Sequence, residues 1–157
     1  MESVTVRSLM SSPVISIPKT MRLPQIKNLM RDNNIRRLPV LDDDRVVGIV
    51  TYGDIRNAFP SDATTLSIYE LSYLIGQVSA ADIMRRAVIT VDADTSVVDV
   101  ARLMLTQKIS GLPVVDNGKL VGMITESDIF RAVISGQLVL TTTVAIPARQ
   151  PQSRINI

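Results

Sequence analysis

Two short polar constellations carry most of the chemistry this sequence offers. Gly48-Ile49-Val50-Thr51-Tyr52-Gly53-Asp54 recurs as Gly122-Met123-Ile124-Thr125-Glu126-Ser127-Asp128, each where a strand is expected to end and a helix to begin. A threonine followed three residues later by a carboxylate at a helix start resembles a capping box, whose two side chains satisfy orphan backbone N–H groups. The same geometry suits a ligand. A helix N-terminus offers unpaired N–H groups and a positive dipole end that attract phosphate. A threonine hydroxyl there can donate to a phosphate oxygen, and a carboxylate one turn on can accept two hydrogen bonds from the vicinal hydroxyls of a ribose. Phosphate and ribose together describe a nucleotide. Repetition leaves both readings open, because a duplicated fold duplicates its caps.

Other chemistry is thin. The chain contains neither Cys nor His, which removes thiol nucleophiles, disulfides and zinc–thiolate sites. It also removes the commonest metal ligand and the commonest general base near neutral pH. No paired-carboxylate or Ser–Lys constellation recurs, so an enzyme is not expected. Asp42-Asp43-Asp44 invites a divalent-metal reading, but it aligns with Asp116-Asn117-Gly118, and a solvated turn is the expectation. The 17 Lys and Arg against 15 Asp and Glu leave a formal charge of +2. The closest basic pairs are Arg36-Arg37 and Arg85-Arg86, whereas nucleic-acid binders gather basic residues into a patch or stripe. Aromatic residues make up 3% of the chain, too few for a platform on which single strands stack. Nucleic acid is therefore not an expected partner. No apolar run approaches the ~20 residues of a membrane helix, and Met1-Glu2-Ser3 lacks the basic and apolar regions of a signal peptide. A soluble cytoplasmic protein without membrane contact is the expectation.

The elements that must position these residues come in two copies. A shift of 74 residues aligns 10–59 with 84–133 without a gap, and 16 of the 50 positions are identical. A period this long, repeated only twice, argues against a solenoid and for a pseudo-symmetric pair of units burying one shared core. A chain of 157 residues needs no covalent staple to do so. Each repeat opens with a β-branched run, 14–17 and 88–91, read as a strand. A helix follows, with Val97, Val100, Ala101 and Met104 on one face and Ser96 with Asp99 as its capping box. Leu23, Ile26 and Met30 match it, and Pro24 is tolerated in the first turn. Two strands around a polar turn come next, 38–41 with 46–51 and 112–115 with 120–125, the second pair joined through Asn117-Gly118, a strong hairpin signal.

Closing helices over 52–59 and 126–133 are expected to bury Ile55 with Phe59 and Ile129 with Val133. Each unit thus reads βαββα in an α+β fold. Between the units, Ser67 and Glu70 open a linker helix with Leu71, Leu74, Ile75 and Val78 on one face. Its Tyr69 and Tyr73 suit either a dimer contact or packing over the repeat interface. Short helices are expected over 5–10 and 79–84. The chain divides into a first repeat, 1–62, a linker with its helix, 63–77, a second repeat, 78–137, and a tail, 138–157. The tail has β propensity over 138–146 and disorder expected over 147–157.

This order of elements, with Leu-Pro-Val at 38–40 and 112–114 and Gly-x-x-Thr-x-x-Asp at 48–54 and 122–128, resembles a tandem pair of CBS domains, often called a Bateman module, over about 4–135. The stretch Leu66-Ser67-Ile68-Tyr69-Glu70-Leu71 also resembles the linker of acetoin-utilisation-type CBS proteins. The resemblance implies two repeats about a pseudo-two-fold axis, a homodimer in which two modules form a flat disc, and regulatory sensing of an adenosine ligand between the repeats. That ligand would be AMP, ADP, ATP or S-adenosylmethionine, with no further cofactor required and a regulated protein as a possible partner. By motif, Asp54 and Asp128 would take the ribose hydroxyls, Thr51 and Thr125 would face phosphate, and Val14 and Val88 would touch the base. Ile35, Arg36 and Arg37, and in the second repeat Ile109, Ser110 and Gly111, would line the adenine and phosphate region. Arg36 and Arg37 match a place where relatives set basic residues against phosphate, and Ser110 and Gly111 offer no such charge. The resemblance therefore implies unequal sites, with the first repeat's preferring nucleotides. A dimerising scaffold with degenerate nucleotide sites is the alternative.

Overall fold

The computed structural model describes residues 3–60 and 65–139; the expectations for 140–157 lie outside them. The first unit comprises α1 (Val6–Leu9), β1 (Ile17–Pro18), α2 (Leu23–Asn33), β2 (Arg37–Asp42), β3 (Arg45–Thr51) and α3 (Tyr52–Ala58). After the linker helix α4 (Ile68–Gln77), the order recurs as α5 (Ala80–Ile83), β4 (Val91–Asp92), α6 (Val97–Gln107), β5 (Gly111–Asp116), β6 (Lys119–Thr125) and α7 (Glu126–Ile134). Each unit forms a three-stranded sheet, β1-β2-β3 or β4-β5-β6, with the first pair parallel and the second antiparallel. Both sheets shift register at the same place, between Val40 and Leu41 and between Val114 and Val115. The duplication therefore extends to irregularities that no hydrophobic pattern encodes.

Local sequence explains the hairpins and long helices. Asp43 and Asp44 have φ of 47° and 65°, matched by Asn117 and Gly118 at 50° and 78°, so both hairpins turn through two left-handed residues as the right-handed strand twist requires. Asp43 and Asp44 form the turn, while Asp42 ends β2, pairs with Arg45 across the hairpin and meets Lys19 Nζ at 2.6 Å. Leu23, Ile26 and Met30 are buried on α2, and Val97, Val100 and Met104 on α6. Ser67 and Glu70 form the expected reciprocal cap of α4, at 2.8 and 3.3 Å.

Four expectations change. The opening runs form strands only at Ile17–Pro18 and Val91–Asp92; the residues upstream stay unpaired and line clefts, because β propensity describes fit to a pleated surface and not the presence of a partner. Ser96 makes no side-chain cap; its neighbour Val97 N–H donates to Val4 O at 3.0 Å, and Asp99 turns to Arg102. On the closing helices Ile55 is buried, but Phe59 and Ile129 are half-buried and Val133 is exposed, while Asp128 and Ala132 fill the inner stripe of α7. On α4, Leu71, Ile75 and Val78 are half-buried and Leu74 is exposed. Tyr69 and Tyr73 are 83% and 68% exposed, so they do not pack over the repeat interface.

Buried side chains form three clusters and not the single shared core expected, and the two larger clusters do not follow the two repeats. Val6 of α1 is buried with Val91, Val100, Leu112 and Ile124 of the second repeat. Conversely, Ala80 and Met84, from the α5 segment, are buried with Ile17, Leu23, Leu38 and Val50 of the first. Backbone pairing follows the exchange: Ser11 exchanges hydrogen bonds with Met123 at 2.9 and 3.1 Å, and Arg85 with Ile49 at 2.9 and 3.0 Å. These are equivalent positions under the 74-residue shift, so the exchange is itself two-fold. It explains the glycine of each motif. A Cβ on Gly48 would stand 2.4 Å from Met84 Sδ, and one on Gly122 would stand 2.7 Å from Met10 Sδ and 2.9 Å from Ser11 O. Between the sheets, β3 and β6 are in contact, which closes the pair around the pseudo-axis.

Candidate functional site

The Thr-x-x-Asp motifs sit where a strand turns into a helix. Thr51 N–H donates to Asp54 Oδ2 at 2.9 Å, and Asp54 N–H donates to Thr51 Oγ1 at 3.2 Å. In the second motif, Thr125 N–H donates to Asp128 Oδ2 at 2.8 Å, and the Thr125 hydroxyl donates to the same oxygen at 2.9 Å. Both motifs therefore act as helix caps. Each second carboxylate oxygen meets an arginine: Arg85 Nε lies 3.3 Å from Asp54 Oδ1, and Arg131 of the same helix bonds Asp128 Oδ1. The aspartates are well covered, at 12% and 7% side-chain exposure, while both arginines stand about 70% exposed. Both oxygens of each carboxylate thus have a partner, one of them a residue of the exchanged segment.

Two clefts open between the repeats, and each takes its walls from both. A cleft of about 520 Å³ combines Thr51, Tyr52, Gly53 and Arg56 with Val88, Ile109 and Ser110. A second, about 620 Å³, combines Val14, Ile35, Arg36 and Arg37 with Thr125, Glu126 and Ser127. Grouping the site residues repeat by repeat therefore does not describe the clefts: the segment before Leu-Pro-Val of one repeat faces the threonine of the other. Arg36, Arg37 and Ser110 line both, and Arg37 donates a hydrogen bond to Ser110 Oγ in the wall between them. Gly111, the repeat counterpart of Arg37, leaves room for that side chain; a Cβ there would lie 3.2 Å from Arg37 Cδ. Arg36 and Ser110 also hold the motif helices, their carbonyls accepting from Tyr52 N–H at 2.9 Å and Glu126 N–H at 3.1 Å. Ile35 and Ile109 are half-buried and pack against the two cores.

Asp54 and Asp128 are not among the residues lining the clefts. Asp128 borders instead a depression of about 400 Å³ with Ser8, Arg131 and Ser135. Arg56, Arg85 and Lys108 line the Thr51 cleft and were not singled out as site residues from the sequence. Arg56 lies four residues past Tyr52 on a short helix, a spacing that could have found it. Lys108 follows α6 in the left-handed region at φ 55°, where the aligned Asn34 has φ 51°. Arg85 reaches the site only through the exchange of segments, for which local pattern holds no signal.

A CBS-domain family profile matches the chain twice, over 6–61 and 80–135. An uncharacterised protein of Methanocaldococcus jannaschii is 37% identical over 138 residues, covering 85% of this chain, which spans 32% of that protein. A CBS domain-containing protein of Dictyostelium discoideum is 32% identical over 133 residues, covering 83% of this chain and 92% of its own length. Among solved structures, the CBS domain pair of protein MJ0100 in complex with methylthioadenosine and S-adenosylmethionine superimposes with a TM-score of 0.70 at 30% identity, covering 87% of this chain and 100% of that one. A Vibrio cholerae protein described as of acetoin-utilisation type gives 0.71 at 28%, covering 87% and 94%. CBSX2 in complex with AMP gives 0.68 at 29%, covering 85% and 98%.

Proposed function

The chain belongs to the CBS-domain family, and from that premise we propose that it is a regulatory, non-catalytic module sensing an adenosine-containing ligand in the clefts between its repeats. The observation that carries this reading is the pair of related clefts, each built from the threonine motif of one repeat and the pre-Leu-Pro-Val segment of the other. Their volumes fall in the range of about 300–1,000 Å³ typical of small-molecule sites. Val14 or Val88 with Ile35 or Ile109 offers an apolar seat for a base, and the arginines offer charge to a phosphate. Structural neighbours crystallised with S-adenosylmethionine, methylthioadenosine and AMP support the ligand class. Asp54 and Asp128 enter this reading by moving one oxygen from arginine to ribose, with the arginine released toward solvent or ligand. A ligand that changes the hold of Arg85 acts on the exchanged segment, a physical route by which occupancy reaches a protein partner.

The test is a thermal-shift and titration panel of AMP, ADP, ATP, S-adenosylmethionine and NADH. Ligand at 100 times its dissociation constant adds about 2.7 kcal/mol to stability. If every member leaves the melting temperature unchanged, the second reading stands: a dimerising scaffold with degenerate sites. That reading is favoured by the partner already present on each oxygen of both carboxylates and by the exposed Ile68, Tyr69, Tyr73 and Leu74 of α4. A homodimer through this apolar helix is part of both readings.

A further inference from the structure

We infer that the two clefts sort ligands by charge, the Thr51 cleft taking a phosphate-bearing adenosine ligand and the Thr125 cleft one whose tail carries no phosphate. The inference rests on the adenosine reading and deepens it. Beyond the shared Arg36 and Arg37, the Thr51 cleft adds Arg56, Arg85 and Lys108 and contains no acidic residue. The Thr125 cleft adds no cation and contains Glu126. The 74-residue shift sets Arg85 against Ser11, Lys108 against Asn34 and Tyr52 against Glu126, so each substitution moves charge in the same direction.

The charge in the Thr51 cleft is also uncompensated. Arg85 is paired with Asp54, while Arg36, Arg56 and Lys108 form no ion pair among the described residues. Cations gathered on the walls of one cleft repel each other and focus a positive potential into it, an arrangement that a bound polyanion neutralises. Lys108 reaches this cleft from a left-handed backbone conformation, which a lysine adopts at a cost and which the aligned asparagine tolerates more readily. The threonines differ in the same sense. The Thr125 hydroxyl donates to Asp128, whereas the Thr51 oxygen accepts from Asp54 N–H and, among the described residues, donates to no carboxylate. In the Thr125 cleft, Glu126 repels phosphate and favours a neutral or cationic tail.

The experiment is isothermal titration of the full chain with AMP, adenosine and inorganic tripolyphosphate, in the wild type, in the double variant R56A/K108N and in E126Q. Arg56 and Lys108 are exposed, and Asn suits the left-handed position of Lys108, so the double variant keeps the fold. Wild-type chain takes one AMP per chain tightly, with an affinity that falls as salt rises, and takes adenosine with little salt dependence. R56A/K108N binds AMP about tenfold more weakly or worse and binds adenosine within about twofold of wild type. E126Q admits AMP to the second cleft. Two equal AMP sites in the wild type, or AMP affinity unchanged in R56A/K108N, overturns the sorting while leaving the adenosine reading in place. The opposite result, tripolyphosphate bound by the wild type and lost in R56A/K108N with neither AMP nor adenosine bound, ends the adenosine reading and with it this assignment.

Discussion

Replacing Asp54 by Ala and by Asn separates capping from ligand binding at the same carboxylate. In the free protein Oδ2 accepts the Thr51 N–H at 2.9 Å, and Oδ1 accepts from Arg85 at 3.3 Å. Asp54→Ala removes the carboxylate half of the reciprocal cap, about 1 kcal/mol, and leaves the backbone N–H of residue 54 on Thr51 Oγ1. It also removes an ion pair whose arginine is 70% exposed, worth no more than about 0.5 kcal/mol after solvent screening. In a domain of this size each kcal/mol moves the melting temperature by about 2–4 °C, so Asp54→Ala melts about 2–6 °C lower. Asp54→Asn keeps a carbonyl for the Thr51 N–H and melts within about 2 °C of wild type. Binding responds differently. Hydrogen bonds from ribose hydroxyls to a charged acceptor contribute about 1.5–3 kcal/mol each, less the cost of displacing Arg85. AMP affinity therefore falls about tenfold or more in Asp54→Ala and also falls in Asp54→Asn, despite its near-native stability. Melting curves and titrations on the same preparations read both effects. If Asp54→Ala melts low but binds AMP as the wild type does, Asp54 is a cap only.

Three further outcomes follow from the packing. Gly122→Ala drives a Cβ to within 2.9 Å of the Ser11 carbonyl and costs about 1–3 kcal/mol, read as a lower urea midpoint; a wild-type midpoint refutes the close approach. Light scattering of the wild type at tens of micromolar reports twice the 17.2 kDa of one chain, and Tyr69→Asp with Tyr73→Asp returns it to the single-chain mass; a wild-type monomer refutes the dimer. The Glu70 carboxyl is held below its ordinary 4.5, chiefly by the Ser67 backbone N–H and then by the Ser67 hydroxyl. Its cap therefore stabilises the protein above that value and is lost as pH falls through the lower folded-state value. Glu70→Gln accordingly flattens the acid limb of a stability–pH profile, and an unchanged limb refutes the assignment.

The sequence discloses what neighbours in the chain decide. The turn at Asp43-Asp44 is legible because its aligned copy reads Asn-Gly, and the α4 cap because Ser67 and Glu70 lie three residues apart. The buried stripes of α2 and α6 follow from helical periodicity alone. Expectations failed where a distant segment supplies the partner. Asp99 leaves the expected cap of Ser96 for Arg102, Val4 reaches the first turn of α6 from a distant segment, and Val14 and Val88 leave the strand pattern for cleft walls. The Thr-x-x-Asp motif announced both of its possible roles, yet which wall faces which threonine depends on how β3 and β6 meet around the axis. Lys108 and Arg85 show the limit most clearly. One depends on the backbone sign at a helix end, the other on a segment exchange, and neither leaves a periodic trace.

The exchange of α1 and α5 also sets an order of events on the ribosome. Ser11 precedes its partner Met123 by 112 residues, so at about 5–20 residues per second their synthesis is separated by about 6–22 s. Within that interval, Gly48 is made 36 residues before its own Met84, while the equivalent Met10 is already present. The nascent chain thus has the wrong methionine available first. Reaching the native arrangement depends on Met84 and its flanking backbone binding the groove beside Gly48 more tightly than Met10, not on which of them arrives earlier.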